Sequence, residues 1–186
     1  MTSASTSRRG LFRAAGAGLA AGLVPTAATA AEPLLRGTGD LGLVVERATG
    51  SLLLVDTTAR AVLAGIDGLG DMSHASLVFD RSERYAFVFG RDGGLTKVDL
   101  LTASIVKRIV QGGNAIGGAI SDDGKLVAVS NYTPGGVRVF DTETLEMVAD
   151  VPAIDAKGAP SKTVGLVDLP FRTFAWSLLD GDEIWI

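Results

Sequence analysis

Short apolar runs alternate with polar or glycine turns along most of the chain, and the runs recur in register. Gly50-Ser51-Leu52-Leu53-Leu54-Val55-Asp56 is matched by Gly93-Gly94-Leu95-Thr96-Lys97-Val98-Asp99 and by Gly135-Gly136-Val137-Arg138-Val139-Phe140-Asp141. Each begins in a glycine turn, runs as a strand and ends on Asp. The three aspartates lie 43 and 42 residues apart. Each is followed by a polar turn and a further strand, expected at Ala61 to Ile66, Ile105 to Val110 and Met147 to Val151.

Between these units sit hairpins. Ala75 to Phe79 leads through a polar turn into Tyr85 to Phe89, and Gly117 to Ile120 leads through Asp122-Asp123-Gly124 into Leu126 to Ser130. Apolar runs flanking a polar or Asp-Gly turn read as antiparallel strands. One period therefore holds four strands, which is the size of one β-propeller blade. A small twisted sheet buries both faces only by packing against neighbours, and a ring of blades provides them. A β-sandwich has similar hairpins but no fixed period. A further copy begins at Thr163 to Val167, continues at Phe174 to Leu178, and reaches a third strand at Ile184. The expectation is an all-β chain of four-stranded blades of about 42 residues, about three and a half of them, cut from a longer propeller.

Composition narrows the chemistry. The 186 residues carry 17 Lys+Arg against 21 Asp+Glu, a net charge of −4, which argues against nucleic-acid binding as the main task. There is no Cys and one His, which excludes disulfides, a thiolate metal site and an unaided zinc site. The 24 glycines suit a fold made of many tight turns.

The N-terminus reads as an address. Arg8-Arg9, a mild apolar run from Ala14 to Val24 and the small residues Ala28-Thr29-Ala30 make a twin-arginine export signal, with cleavage near Ala30. The apolar run is only about half the ~20 residues needed to span a bilayer, so no stable membrane span is expected. The expected organisation is a signal at 1–30, a propeller domain at 31–186 and a periplasmic location.

In a blade the turn between second and third strands lies on the same rim as the segment entering the innermost strand. Aligning the copies places His74, Asn114 and Lys162 at or beside the entrances of the innermost strands. The opposing turns carry Arg91 and Asp92, Asn131 and Tyr132, and Asp180. A neutral imidazole is an axial ligand for haem iron, so His74 is the candidate metal ligand. Arg91 and Lys162 suit ligand carboxylates. Asn131 and Tyr132 either line the pocket or shape their turn. Lys97 and Arg138 could pair with ligand carboxylates too, but they alternate with apolar residues inside a strand, and the stronger expectation is that they face solvent. Gly37-Thr38-Gly39-Asp40-Leu41-Gly42 spells G-x-G-x-x-G outside any βαβ unit and is set aside as a dinucleotide site.

Several segments carry a family resemblance. They are Gly37 to Arg47, Gly70-Asp71-Met72-Ser73-His74-Ala75, Phe87 to Asp99, and Gly112 to Ala128 with Ser130-Asn131-Tyr132. Together they resemble the haem d1 biosynthesis proteins of the NirF type, which are similar to the d1-haem propeller of cytochrome cd1 nitrite reductase. The resemblance implies an eight-bladed periplasmic propeller. It implies binding of haem d1 or its dihydro precursor, and a part in oxidising a propionate side chain to acrylate. His74 carries over as iron ligand. From the residues themselves, Arg91 would hold a peripheral carboxylate; none stands out as the base, with Asp71 and Tyr132 the candidates. Nitrite reductase and other haem d1 maturation proteins are the implied partners. The rival expectations are a non-catalytic protein that delivers haem d1, and a generic YVTN-like propeller used for protein interactions.

Overall fold

The structure is a computed structural model that describes residues 38–186. The expected export signal lies outside the described residues. Four antiparallel sheets follow one another along the chain. A short 3-10 turn at Thr38–Asp40 opens the first sheet, formed by β1 (Leu41–Glu46), β2 (Ser51–Asp56) and β3 (Ala61–Ile66). The second contains β4 (Ser76–Phe79), β5 (Tyr85–Phe89), β6 (Gly94–Asp99) and β7 (Ser104–Val110). The third contains β8 (Asn114–Ile120), β9 (Leu126–Thr133), β10 (Gly136–Asp141) and β11 (Met147–Val151). The fourth contains β12 (Thr163–Leu169), β13 (Thr173–Leu178) and β14 (Ile184–Trp185). The strands of each sheet are ordered as in the sequence, and β4, β8 and β12 adjoin in succession as the innermost strands. These sheets are propeller blades. The first begins at the second position of a blade, and the fourth carries the first three positions.

The core lies between blades. In β5, Phe87 and Phe89 point toward the third blade, where they pack with Ala115, Ile120, Val127 and Val129. The alternating residues Ala86 and Val88 turn the other way, onto Leu54 and Leu52 of the first blade. Both faces of β5 are thus buried, which is why its sequence is continuously apolar rather than alternating. The same device joins the third blade to the fourth through Ala128 and Val137 against Phe174, Trp176 and Leu178.

The repeated aspartates build one turn three times. Asp56 Oδ1 accepts from the Ala59 N–H at 2.7 Å, Asp99 Oδ1 from Leu101 at 2.9 Å, and Asp141 Oδ1 from Thr144 at 2.8 Å. Four residues beyond each Asp the backbone enters the left-handed region, at Arg60 (φ 54°), Ala103 (φ 48°) and Leu145 (φ 54°). A register shift precedes each turn, at Leu54/Val55, Lys97/Val98 and Val139/Phe140. The period seen in the sequence is the period of this bulged hairpin.

Leu41–Glu46, to which the sequence pattern assigned no element, is a strand; Leu43 and Val45 alternate onto the core while Val44 faces out. The structure corrects two expectations. β8 begins at Asn114 rather than Gly117, and β9 continues to Thr133. Lys97 is 9% exposed instead of solvent-facing. Its Nζ donates to the Thr142 carbonyl at 3.0 Å and sits 4.3 Å from the centre of the Tyr85 ring, so the ammonium is satisfied inside the blade interface.

Candidate functional site

In the second, third and fourth blades, the segment entering the innermost strand meets the turn after the second strand. The Arg91 N–H donates to the Asp71 carbonyl at 2.8 Å, the Gly113 N–H to Thr133 at 2.9 Å, and the Leu179 N–H to Lys162 at 2.9 Å. Antiparallel pairing enforces this, since the first residues of β4, β8 and β12 face the last of β5, β9 and β13: Ser76 opposite Phe89, Asn114 opposite Thr133, Thr163 opposite Leu178. The sequence-selected residues therefore share one rim, blade by blade.

His74 stands in the turn that leads into β4, and its side chain is exposed. Among the described residues it has no hydrogen-bond or ion-pair partner. The segment that carries it is anchored by Leu69 and Met72, each 1% exposed. Arg91 is exposed and joins no ion pair among the described residues; its charge acts on Asp71. The Ser73 hydroxyl, the Ser73 N–H and the Arg91 charge hold the Asp71 carboxyl below its ordinary range, and the Ser73 N–H contact is 2.9 Å. Such a carboxylate stays ionised and is a weak proton acceptor. The structure thus brings Arg91 to Asp71, three residues before His74 on the same segment.

The remaining candidates divide. Asn114 is half-buried on β8, and its Oδ1 is buried with no hydrogen-bond partner, a costly arrangement unless a ligand supplies the donor. Tyr132 is half-buried near the end of β9. Lys162 is exposed and already faces Asp180, with Nζ 3.6 Å from Oδ1. Asn131, of the two roles left open for it, is engaged with the fold. It is fully buried, its Oδ1 accepts from Gln111 Nε2 at 2.9 Å, and its Nδ2 donates to Gln111 Oε1 and the Val129 carbonyl, both at 3.3 Å. Its backbone exchanges hydrogen bonds with the Thr163 hydroxyl at 3.1 Å, which ties the third blade to the fourth.

Arg108 and Gln111 also shape this rim, and sequence reasoning passed over both. Arg108 lies in β7, at the outer edge of its blade, and reaches back to Leu69 and Asp92. Nothing in Ser104–Val110 distinguishes it from a solvent-facing cation. A cavity opens at the opposite ends of the innermost strands, lined by Phe79, Arg81, Gly118, Ile120, Val167 and Asp168. Arg81 spans it, donating to the Ile120 and Ser121 carbonyls and pairing with Asp168 at 2.7 Å.

The donor set fits an iron tetrapyrrole. Among the described residues it offers an imidazole without a partner (His74), a guanidinium outside any ion pair (Arg91) and an unsatisfied carboxamide oxygen (Asn114). Among the described residues no group of three His, Cys, Asp or Glu side chains is placed to hold a bare metal ion.

The sequence model for the cytochrome D1 heme domain matches residues 36–186. The chain belongs to the cytochrome D1 heme domain family. Within that family it is 62% identical over 157 residues to Protein NirF of Pseudomonas aeruginosa, covering 83% of this chain and 40% of that protein. Protein NirF of Stutzerimonas stutzeri is 61% identical over 158 residues, with 84% and 40% covered. The chain thus spans about two-fifths of the length of these D1-domain relatives. Among solved structures, the dihydro-heme d1 dehydrogenase NirN in complex with DHE matches with a TM-score of 0.73 at 30% identity, over 80% of this chain and 32% of that one. The β-propeller domain of Myceliophteria thermophila Cps50 (Swd1) matches with a TM-score of 0.63 at 18% identity, over 78% of this chain and 46% of that one, and shows the fold alone.

Proposed function

We propose that this chain is part of a periplasmic haem d1 biosynthesis protein that binds a late d1 precursor across the His74 rim. The observation that carries the reading is the exposed His74 imidazole, without a partner among the described residues, at the head of an innermost strand. There His74 would hold the iron, Arg91 would pair with a peripheral carboxylate, and Asn114 would offer its unsatisfied oxygen to a donor on the ligand. Bound, the iron macrocycle supplies the redox chemistry, and the protein supplies position and charge. Similarity to the NirF proteins and to NirN supports the tetrapyrrole over a generic interaction platform.

The proposed task is to assist oxidation of the precursor's propionate side chain to acrylate. A second reading is favoured by one feature: the depressed Asp71 carboxyl is a weak base, which suits binding and delivery of haem d1 to nitrite reductase. Anaerobic absorbance titration with dihydro-haem d1 tests both. Wild type is expected to bind with a shifted Soret band, and His74→Ala to lose that shift. An unchanged band and affinity in His74→Ala would remove the iron-ligand role. Binding without oxidation after an electron acceptor is added selects delivery. Export is tested separately: replacing Arg8 and Arg9 by Lys is expected to keep a reporter fused to residues 1–30 out of the periplasm.

A further inference from the structure

We infer that Asp92 and Arg108 are positioning residues for His74, a buckle that fixes the backbone leading to the imidazole before any ligand arrives. The inference rests on the reading of His74 as the iron ligand.

One carboxylate joins three pieces of backbone. Asp92 Oδ2 accepts from Arg108 Nη2 at 2.5 Å and from the Asp71 N–H at 3.3 Å, while Oδ1 accepts from the Gly94 N–H at 2.9 Å. Arg108 Nε then donates to the Leu69 carbonyl at 3.1 Å. The turn after β5, the outer strand β7 and the segment entering β4 are thereby tied at one point. Asp71 carries the constraint onward by accepting from the Ser73 N–H at 2.9 Å, one residue before His74.

Gly70 shows how closely the buckle is drawn. Its φ is +84°, and a Cβ would fall 2.2 Å from Asp92 Oδ2 and 2.3 Å from Arg108 Nη2. Only glycine combines that backbone conformation with that approach. The pair is also shielded, at 22% side-chain exposure for Arg108 and 33% for Asp92, so it holds its geometry better than an open surface pair. An exposed imidazole on a free turn would lose freedom on ligation, whereas here its backbone is already fixed. Neither Asp92 nor Arg108 needs to touch the ligand.

The test is a double-mutant cycle on the full chain, with extracted haem d1 as probe under anaerobic conditions. Asp92→Asn is expected to weaken binding about tenfold, as loss of a ligand-orienting partner does. In the His74→Ala background the same change is expected to do nothing further, because the effect passes through His74. Amide exchange at 69–74 in the ligand-free protein is expected to quicken in Asp92→Asn. Arg108→Gln cuts the pair from its other side and repeats the measurement should Asp92→Asn fail to fold. Equal weakening in both backgrounds, or unchanged exchange at 69–74, overturns the inference. If His74→Ala binds like wild type while Asp92→Asn still loosens 69–74, the ligand reading falls and the buckle stands.

Discussion

The ring of Phe89 lies over the bare Cα of Gly118: a Cβ on Gly118 would fall 2.3 Å from Phe89 Cζ and 2.4 Å from the Ala128 carbonyl oxygen. Phe89 is fully buried between the second and third blades and has nowhere to retreat. Gly118→Val is therefore expected to destabilise the propeller by about 1–3 kcal/mol, the usual cost of overpacking. Urea denaturation measures it. A smaller side chain on the partner, Phe89→Leu, is expected to recover part of the loss.

The repeated aspartates differ in cost. Asp99 is 5% exposed and accepts from the Leu101 N–H at 2.9 Å and from Arg84 Nη2 at 2.8 Å. Asp99→Ala removes a buried carboxylate that accepts from the Leu101 N–H and is expected to cost about 2 kcal/mol, with the half-exposed Arg84 contributing little. Asp141, less buried, is expected to cost about 1 kcal/mol when changed to Ala. Denaturant midpoints that reverse this order would refute the assignment.

Lys97 offers a separate test. Lys97→Ala removes a charged hydrogen bond and the contact with Tyr85, an expected loss of about 2 kcal/mol. Lys97→Met keeps the apolar stem and is expected to lose less. Thermal melts of the two variants decide the point.

Acid weakens the seam between the third and fourth blades. The Ser121 hydroxyl, the Lys125 N–H and Arg172 push the Asp123 carboxyl down to about 2, from an ordinary 3.8. The Phe171 and Arg172 N–H groups lower Asp122, at 2.9 and 3.1 Å. A depressed carboxyl contributes stability that is fully present above the unfolded value and is lost as pH falls through the folded one. Urea midpoints are expected to drop between about pH 4 and pH 2. Asp123→Asn is expected to lower the midpoint at about pH 6–8 toward the acid value and so to flatten that slope.

Much of the blade pattern was legible because it repeats. An aspartate that caps a bulged hairpin must recur wherever the hairpin recurs, so Asp56, Asp99 and Asp141 announced the period. The shared rim was legible as well, because antiparallel pairing puts Ser76 beside Phe89 and Thr163 beside Leu178 whatever their side chains. β1 was harder to see, since Gly42 interrupts a short strand whose inward residues are only Leu41, Leu43 and Val45.

The sequence by itself determined the strand order, the period and the placing of a solitary histidine where an innermost strand begins, because hydrogen-bonded hairpins are local. Only the tertiary structure decided which polar side chains are spent on the fold. Asn131 and Lys97 look like rim and surface residues in one dimension, yet each is buried against a partner 20 or 45 residues away. Arg108 reads as an outer-edge cation, yet it holds the segment that carries His74. Burial and pairing across such separations depend on how the sheets stack, and no local pattern of apolar and polar residues records that.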